Sequence, residues 1–297
     1  MTTILLCDSG LGGLDIAARL LGQVRSRGGG AFRLIYFNAW PHPQRGYNQL
    51  KNDQERIEVF TAALEGMARF HPNLCLIACN TLSIVYRKIA AVKPALFPVV
   101  EMVRPASKFF AEAMQRQLEL RLLILGTDTT IRSGMYTDQL NQAGIPAERL
   151  ASLACPGLAT ALEDGFDSPA VRQKIASAAE QARALFPADI PLGLALCCTH
   201  FGYAENLWKA EFAARFRQPP QLLNPNESIL RQTELQSCLQ QSGNPQITVK
   251  FFSRFPMPQS KIRLFAEYFN GCAPELSEAL LEARSDDALF TLPMGIF

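Results

Sequence analysis

The stretch LCLIACNT at residues 74–81 decides the fold. It is a short apolar run, Leu74–Ala78, that leads directly into Cys79, and residues 82–89 then have the pattern of a helix. Longer amphipathic stretches separate several such runs. The runs predicted as strands are Ile4–Cys7, Phe32–Phe37, Phe97–Val100, Leu122–Leu125 and Leu192–Leu196, and the helical stretches are Asp53–Phe70, Pro169–Leu185 and Glu205–Phe216. Strands that alternate with helices predict an α/β protein whose parallel sheets are buried on both faces.

A polar turn and a strand-end cysteine recur at the same spacing in each half of the chain. The positions run from Asp8 to Cys79 and from Thr127 to Cys198, 71 residues in both cases. Ligands of open parallel sheets bind beyond the carboxyl ends of the strands. The repeat therefore predicts two such domains that face one another across a cleft, with one cysteine on each wall. The alternative is a coincidence of two core cysteines, since free cysteine is among the most buried residue types.

Each of these cysteines has surroundings that favour chemistry. A thiol between a strand and a helix lies near unpaired backbone N–H groups, which lower its pKa from about 8.5. His200 adds a second titratable group beside Cys198. Strand alternation turns the neighbouring Cys197 to the opposite side, where it packs. Glu163, judged from its own surroundings, is more typical of a solvated helix end.

The turn Asp8-Ser9-Gly10 is suited to holding a small carboxylate through Ser9 and free amides. A dinucleotide fingerprint would need glycine at Asp15 and an acidic residue at Asn38, so it is excluded, and the sequence has no P-loop.

Composition excludes several classes of protein. Hydrophobic residues make up 48% of the 297 residues, and 29 basic against 27 acidic residues give a net charge of +2, with no basic cluster that would predict a nucleic-acid partner. No apolar window is long enough for a membrane span, and the start lacks the pattern of a signal peptide. Eight cysteines without a C-x-x-C pair predict reduced thiols in a cytoplasmic protein and no zinc ribbon or other metal site.

Five segments, in order, resemble those of the cofactor-independent glutamate racemases of the Asp/Glu racemase superfamily, over about residues 3–270. They are CDSGLGGLDI (7–16), IACNTLSIVY (77–86), LGTDTTIRSGMY (125–136), ACPGLATALEDG (154–165) and ALCCTHFGY (195–203). The resemblance implies two pseudo-symmetric α/β domains with a cleft between them. The first covers residues 1–103, the second covers 104–210, and residues 211–297 return to the first domain and add a C-terminal extension.

The resemblance also implies a reaction. One cysteine thiolate removes the α-proton of an acidic amino acid, most simply glutamate, and the other thiol reprotonates the opposite face, without a cofactor. These roles fall on Cys79 and Cys198, assisted by Asp8, His200 and Glu163. The implied substrate-binding residues are Ser9, Gln44, Arg45, Gly46, Asn80, Thr81, Thr127, Thr130 and Thr199. The implied product is D-glutamate for peptidoglycan synthesis.

The chain departs from the family pattern around the side-chain end of the substrate. The P-Y-G of the loop after the second strand becomes Gln44-Arg45-Gly46, and an aspartate there becomes Ala39. Arg45 either pairs with a distal carboxylate or lies in solvent. Glu101 and Arg104 replace a glycine and a glutamate, and Glu101 would repel a dicarboxylate unless Arg104 or Arg45 neutralises it. Phe201-Gly202 replaces Tyr-Pro.

Three alternatives stay open at this point. They are a racemase of another amino acid such as aspartate, a related reaction at an α-carbon, and a non-catalytic amino-acid-binding relative. Residues 270–297 lie beyond the resemblance, and Leu276, Leu280 and Leu281 suggest a short amphipathic helix. This extension covers the body of the protein or contributes to a homodimer.

Overall fold

The computed structural model describes residues 1–28, 30–240 and 246–296. The chain divides into two compact units. The first contains Met1–Met102 and the described residues from Ile229 to Ile296, and the second is Val103–Ser228.

The first unit alternates strands and helices. Its elements are β1 (Thr2–Asp8), α1 (Leu14–Arg27), β2 (Ala31–Asn38), α2 (Asp53–Ala68), β3 (Leu74–Ile77), α3 (Asn80–Ala90) and β4 (Val99–Glu101). Within the described residues its sheet has six parallel strands in the order β10-β9-β2-β1-β3-β4, where β9 is Gln246–Ser253 and β10 is Arg284–Ser285. The central strand β1 is fully buried because helices cover both faces of the sheet, as its unbroken apolar run requires.

The second unit repeats this alternation. Its elements are α4 (Val103–Arg116), β5 (Arg121–Gly126), α5 (Asp128–Arg132), α6 (Met135–Gln142), β6 (Leu150–Ala154), α7 (Leu158–Asp164), α8 (Pro169–Leu185), β7 (Leu192–Cys197), α9 (Glu205–Ala213) and β8 (Gln221–Leu223). Among the described residues four parallel strands pair in the order β6-β5-β7-β8. The two parallel sheets confirm the predicted α/β class.

Local signals set several helix boundaries. Helix α8 spans the predicted residues because Ser168 accepts a hydrogen bond from the Val171 N–H at 3.4 Å and Pro169 occupies the first helical position. Helix α2 begins at the predicted residue, since the Asn52 side chain accepts from the Glu55 N–H at 2.9 Å. Helices α2 and α9 end two and three residues before the predicted ends at Phe70 and Phe216.

The return to the first unit differs from the prediction. The family resemblance implied a return at residue 211, whereas in the structure β8 pairs with β7, so residues up to Ser228 belong to the second unit. After that point come α10 (Thr233–Cys238), β9, α11 (Gln259–Asn270), α12 (Pro274–Leu281) and β10. Strand β9 extends the first sheet by pairing with β2, a long-range contact that local periodicity did not indicate.

The extension beyond residue 270 packs on the first unit. Leu276 and Leu280 are fully buried on α12, while Leu281 is exposed. Further along, Leu289, Phe290 and Ile296 are buried in the same apolar core as residues of β1, β2, β3 and α2. Residue 297, the last of the predicted extension, lies outside the described residues.

Candidate active site

The cysteines singled out in the sequence lie at the positions where open sheets bind ligands. In the first unit β1 lies between β2 and β3, so the order of the strands reverses between β1 and β3. Strand β1 ends at Asp8, and β3 ends two residues before Cys79. In the second unit β5 lies between β6 and β7, and the equivalent strand ends lead into Thr127 and Cys198. Crevices beyond such strand ends are where doubly wound sheets bind ligands.

Cys79 is the N-cap residue of α3. Its Sγ accepts a hydrogen bond from the Leu82 N–H at 3.5 Å and lies 3.2 Å from Ser9 Oγ, and the side chain is 8% exposed. An N–H group and a hydroxyl directed at sulfur favour the thiolate, as does the positive end of the helix dipole. The sequence placed Cys79 at a helix start, and the structure adds the contact with Ser9 across 70 residues of chain.

Other predicted polar residues of the first unit lie at the end of β1 and at the start of α3. Asp8 is fully buried at the end of β1, and its backbone carbonyl accepts from the Ala39 N–H at 2.7 Å. Asn80 and Thr81 open α3 and are each 2% exposed. The predicted residues of this half thus lie on the same end of one sheet.

Cys198 lies between a strand and a helix, and its surroundings differ from those of Cys79. It precedes a 3-10 helix, Thr199–Ala204, and its side chain makes no cap hydrogen bond within the described residues. Instead Cys198 Sγ lies 3.8 Å from His200 Nδ1, and His200 Nε2 lies 2.9 Å from Glu163 Oε1. Glu163 is buried at the end of α7 rather than solvated. A carboxylate, an imidazole and a thiol therefore form one line in the second unit.

The charge state of His200 follows from these contacts. Burial opposes the protonated imidazole, but the hydrogen bonds to Cys198 and Glu163 outweigh burial and raise the pKa of His200 well above its usual value. A protonated His200 donates to both neighbours. Its charge is balanced by the carboxylate on one side and stabilises a thiolate on the other.

The predicted threonines of the second unit follow the ends of two paired strands. Thr127 caps α5: its Oγ1 accepts from the Thr130 N–H at 3.3 Å and lies 3.1 Å from Thr130 Oγ1. Thr130 and Thr199 are each 2% exposed. These hydroxyls follow the carboxyl ends of β5 and β7, which pair with one another.

Two other buried thiols of the second unit, Cys155 and Cys197, are less suited to proton transfer than Cys79 and Cys198. Burial raises the pKa of Cys155 to about 12, with the neighbouring Cys198 adding to the effect. Burial also raises the pKa of Cys197, although a hydrogen bond from Tyr136 works in the opposite direction. Cys198 and Cys155 belong to the apolar core beneath α7 and α8, and Cys197 does not, in accord with the predicted alternation.

Sequence reasoning missed three residues near the thiols. Cys155 lies in the quoted ACPG segment and neighbours Cys198, while Tyr136 contacts Cys197. Tyr47 packs in the same core as Cys79, and its hydroxyl makes no hydrogen bond to any residue in the described part of the chain. Burial, with Cys7 and Cys79 nearby, raises the pKa of Tyr47. Cys155 and Tyr136 each lie in one of the quoted segments, which was their signal in the sequence, whereas Tyr47 had none.

The loop that carries Gln44, Arg45 and Gly46 is internally bonded. Gln44 is exposed, and its N–H donates to His42 Nδ1 at 3.2 Å. The Gly46 N–H donates to Gln49 Oε1 at 2.9 Å. Arg45 Nη1 donates to the Ile296 carbonyl at 2.8 Å, so this guanidinium is engaged by the protein itself. The direct pairing of Arg45 with a substrate stays a prediction.

Glu101, which could repel an acidic substrate, has a basic partner. Arg87 Nη1 lies 3.0 Å from Glu101 Oε1, and the carboxylate side chain is 13% exposed. The sequence analysis named Arg104 or Arg45 as the residue that would neutralise Glu101. In the structure Arg87, in the last turn of α3, forms an ion pair with it. The pairing compensates the negative charge at the end of β4.

Among residues 1–28, 30–240 and 246–296, no group of three or more His, Cys, Asp or Glu side chains is arranged to hold a metal ion. No helix in this described part of the chain is long and apolar enough to cross a membrane.

Comparison with known proteins shows the family of the chain. A family model described as Asp/Glu/Hydantoin racemase matches residues 4–232, a span that includes both Cys79 and Cys198. The chain therefore belongs to the Asp/Glu/hydantoin racemase family. It is 30% identical over 234 residues to a glutamate racemase of Sphingopyxis alaskensis, which covers 77% of this chain and 79% of that enzyme.

Other similar relatives are also glutamate racemases. That of Chlorobaculum tepidum is 28% identical, and the match covers 65% of this chain and 66% of that enzyme, just under two thirds of its length. A solved glutamate racemase of Bacillus anthracis has a TM-score of 0.73 at 22% identity and covers 98% of this chain and 99% of its own. One from Francisella tularensis, in complex with D-glutamate, has a TM-score of 0.67 at 19% identity, covering 96% and 95%. At these identities the structures establish a shared fold.

Proposed function

We propose that this protein is a cofactor-independent racemase of an acidic amino acid, with glutamate as the preferred substrate. Two cysteines act as the acid and the base. The observation that carries the proposal is the pair of buried strand-end thiols, each with a different activating partner. Cys79 has Ser9 and the Leu82 N–H, and Cys198 has His200. Membership of the racemase family and likeness to glutamate racemases support it.

In the proposed reaction each thiol serves one face of the α-carbon. One cysteine as thiolate takes the α-proton, so the C–H bond breaks, an S–H bond forms, and the electron pair stays on the substrate as a carbanion. The other cysteine, as thiol, donates its proton to the opposite face. Because one side starts as thiolate and the other as thiol, the reverse reaction starts from the exchanged protonation state.

The neighbours of the thiols have separate tasks in this scheme. A protonated His200 holds Cys198 as thiolate and can return a proton, and Glu163 keeps the imidazole protonated and oriented. Ser9 and the helix N–H group stabilise the Cys79 thiolate. Hydroxyl and amide groups at the strand ends, including Asn80, Thr81, Thr127, Thr130 and Thr199, hold the α-carboxylate and ammonium, which stabilises the carbanion-like transition state.

For the distal carboxylate, we propose the loop that contains Gln44, Arg45 and Gly46. One feature supports an acidic substrate: Arg87 neutralises the charge of Glu101. In a bacterial cell the D-glutamate produced would serve peptidoglycan synthesis.

The test is deuterium wash-in at the α-carbon. The purified protein is incubated in D₂O with separate amino acids (glutamate, aspartate, glutamine, lysine and alanine), without added cofactor, and exchange and inversion are followed by NMR and chiral chromatography. Exchange and inversion of glutamate support the proposal. Fastest turnover of aspartate or a neutral amino acid would overturn the choice of substrate, and binding without exchange would indicate a non-catalytic relative.

A further inference from the structure

The loop at residues 39–50 is joined to a segment more than 240 residues further along the chain. Arg45 Nη1 donates to the carbonyl of Ile296 at 2.8 Å, and Arg45 Nη2 lies 3.9 Å from Glu55 Oε2. The Arg45 side chain is 31% exposed and that of Glu55 is 14% exposed, so this is a partly buried cluster. The guanidinium thus links the loop, the first turn of α2 and segment 286–296.

Segment 286–296 is itself anchored along its length. The Asp286 N–H donates to the Ser253 carbonyl at 2.9 Å, and Arg69 donates to the carbonyls of Ala288 and Leu289 at 3.0 and 2.9 Å. Its apolar side chains enter the core of the first unit, where Leu289 is fully buried and Ile296 is 6% exposed. A segment with this many fixed points can hold a second element in place.

The core that receives this segment also contains the loop and the nucleophile. Ile296 belongs to the same apolar cluster as Tyr47, Leu50 and Cys79. The second half of the loop is held separately, since buried Arg56 donates to the Tyr47 and Leu50 carbonyls at 2.9 and 2.7 Å. The first half is held by Arg45 and by Arg254, whose Nη1 donates to the Pro41 carbonyl at 3.4 Å. Gly46 also packs against the indole of Trp40, so closely that a Cβ atom would lie 2.4 Å from the ring.

We propose that segment 286–296 positions the substrate-binding loop, and that Arg45 is a positioning residue that acts through Ile296 instead of binding the distal carboxylate. The inference rests on the proposed function, because the loop has a substrate role only in an acidic-amino-acid racemase. In this arrangement α2 fixes one side of the loop through Arg56, and the segment fixes the other through Arg45. The loop amides then meet the substrate already ordered, which lowers the entropic cost of binding.

The kinetic test compares three changes with one control. The changes are Arg45→Ala, Ile296→Ala and a chain that stops after Pro293, and the control is Met294→Ala, since Met294 is fully exposed in the same segment. A partly exposed charged hydrogen bond corresponds to about a three- to tenfold effect. We expect the KM for the acidic substrate to rise by that factor in Arg45→Ala and in the shortened chain, with kcat nearly unchanged and the control like the wild type. Ile296→Ala keeps the carbonyl but removes the buried side chain that holds it in place, so its KM should rise in the same direction. Combining Arg45→Ala with the shortened chain should raise the KM little beyond either change alone, because both remove the same hydrogen bond between Arg45 and the Ile296 carbonyl.

Hydrogen exchange tests the positioning independently of activity. The N–H groups of Arg45, Gly46, Gln49 and Leu50 donate to His42 O, Gln49 Oε1, Gly46 O and Tyr47 O. We expect the amides of Arg45 and Gly46 to exchange faster in Ile296→Ala and in the shortened chain, and not in Met294→Ala. The Leu50 amide should change little, because Arg56 holds that half of the loop. Ile296→Ala retains most of the segment, so a folding failure of the shortened chain does not decide the result.

The outcomes separate the two proposals. If the wild type exchanges no α-proton, the proposed function fails, while the amide exchange still shows whether the segment holds the loop. If Arg45→Ala raises the KM but the shortened chain and Ile296→Ala change neither the KM nor the amide exchange, Arg45 acts on the substrate directly and the positioning proposal is wrong.

Discussion

Replacing Glu163 by glutamine tests the line of groups behind Cys198. The Glu163 Oε1 to His200 Nε2 distance is 2.9 Å, and the two side chains are 11% and 8% exposed. A hydrogen bond to a charged group contributes about 1.5–3 kcal/mol, and a neutral acceptor retains roughly half of that. The change Glu163→Gln therefore removes about 1 kcal/mol, which corresponds to about a fivefold loss in kcat/KM for racemisation.

The loss of activity in Glu163→Gln should depend on which thiol acts as the base in the reaction that is measured. Racemisation uses both cysteines, so kcat/KM falls equally in both directions. Elimination of chloride from a 3-chloro analogue of the substrate needs only one base for each enantiomer. We expect Glu163→Gln to slow elimination from the enantiomer that reacts with Cys198 and to leave the other nearly unchanged. Asp164→Asn is the matched control, because it removes the neighbouring, exposed carboxylate of the same helix.

The same substitution should shift the titration of His200. The chain has three histidines, so the imidazole protons can be followed individually by NMR. The partners raise the pKa of His200 in the folded protein, and loss of the carboxylate should lower it. A raised histidine pKa stabilises the folded protein at pH values below the unfolded pKa of about 6.5, and this stabilisation is lost as the pH rises through the folded pKa. Glu163→Gln should therefore lower the free energy of unfolding most at mildly acidic pH. Unchanged titration and unchanged elimination would refute the assignment of Glu163 as partner of His200.

Three further predictions concern single side chains. Cys79→Ser and Cys198→Ser should each reduce racemisation about a hundredfold or more, while each retains elimination from one enantiomer of the chloro analogue; retained racemisation in either would contradict the two-base scheme. Gly46→Ala should lower the thermal stability by about 1–3 kcal/mol, because the new methyl group meets the Trp40 ring, and unchanged melting would show that the ring moves freely. Arg149→Leu should cost about 2–4 kcal/mol in urea unfolding, since this buried side chain donates to the carbonyls of Met114, Gln117 and Leu120, and a loss below about 0.5 kcal/mol would contradict that account.

Local sequence determined the elements and the positions of the thiols. The apolar run 74–78 forms a strand because it is short and followed by a residue able to cap a helix, so Cys79 lies at the start of α3 as predicted. The family motifs indicated His200 and Glu163 as assisting residues, although the residues next to Glu163, taken by themselves, favoured a solvated helix end. Periodicity and capping involve neighbours within a few residues, which is why a single sequence expresses them.

Tertiary structure decided the partners. Glu163 meets His200 across 37 residues, Ser9 meets Cys79 across 70, and Arg45 meets Ile296 across 251. The insertion of β9 beside β2 likewise depends on backbone pairing between distant segments. Such contacts arise when separate apolar faces pack and bring polar groups to one place, where burial makes each unpaired group costly and so selects its partner. The sequence therefore fixes which groups are present at the strand ends, and packing fixes which of them touch.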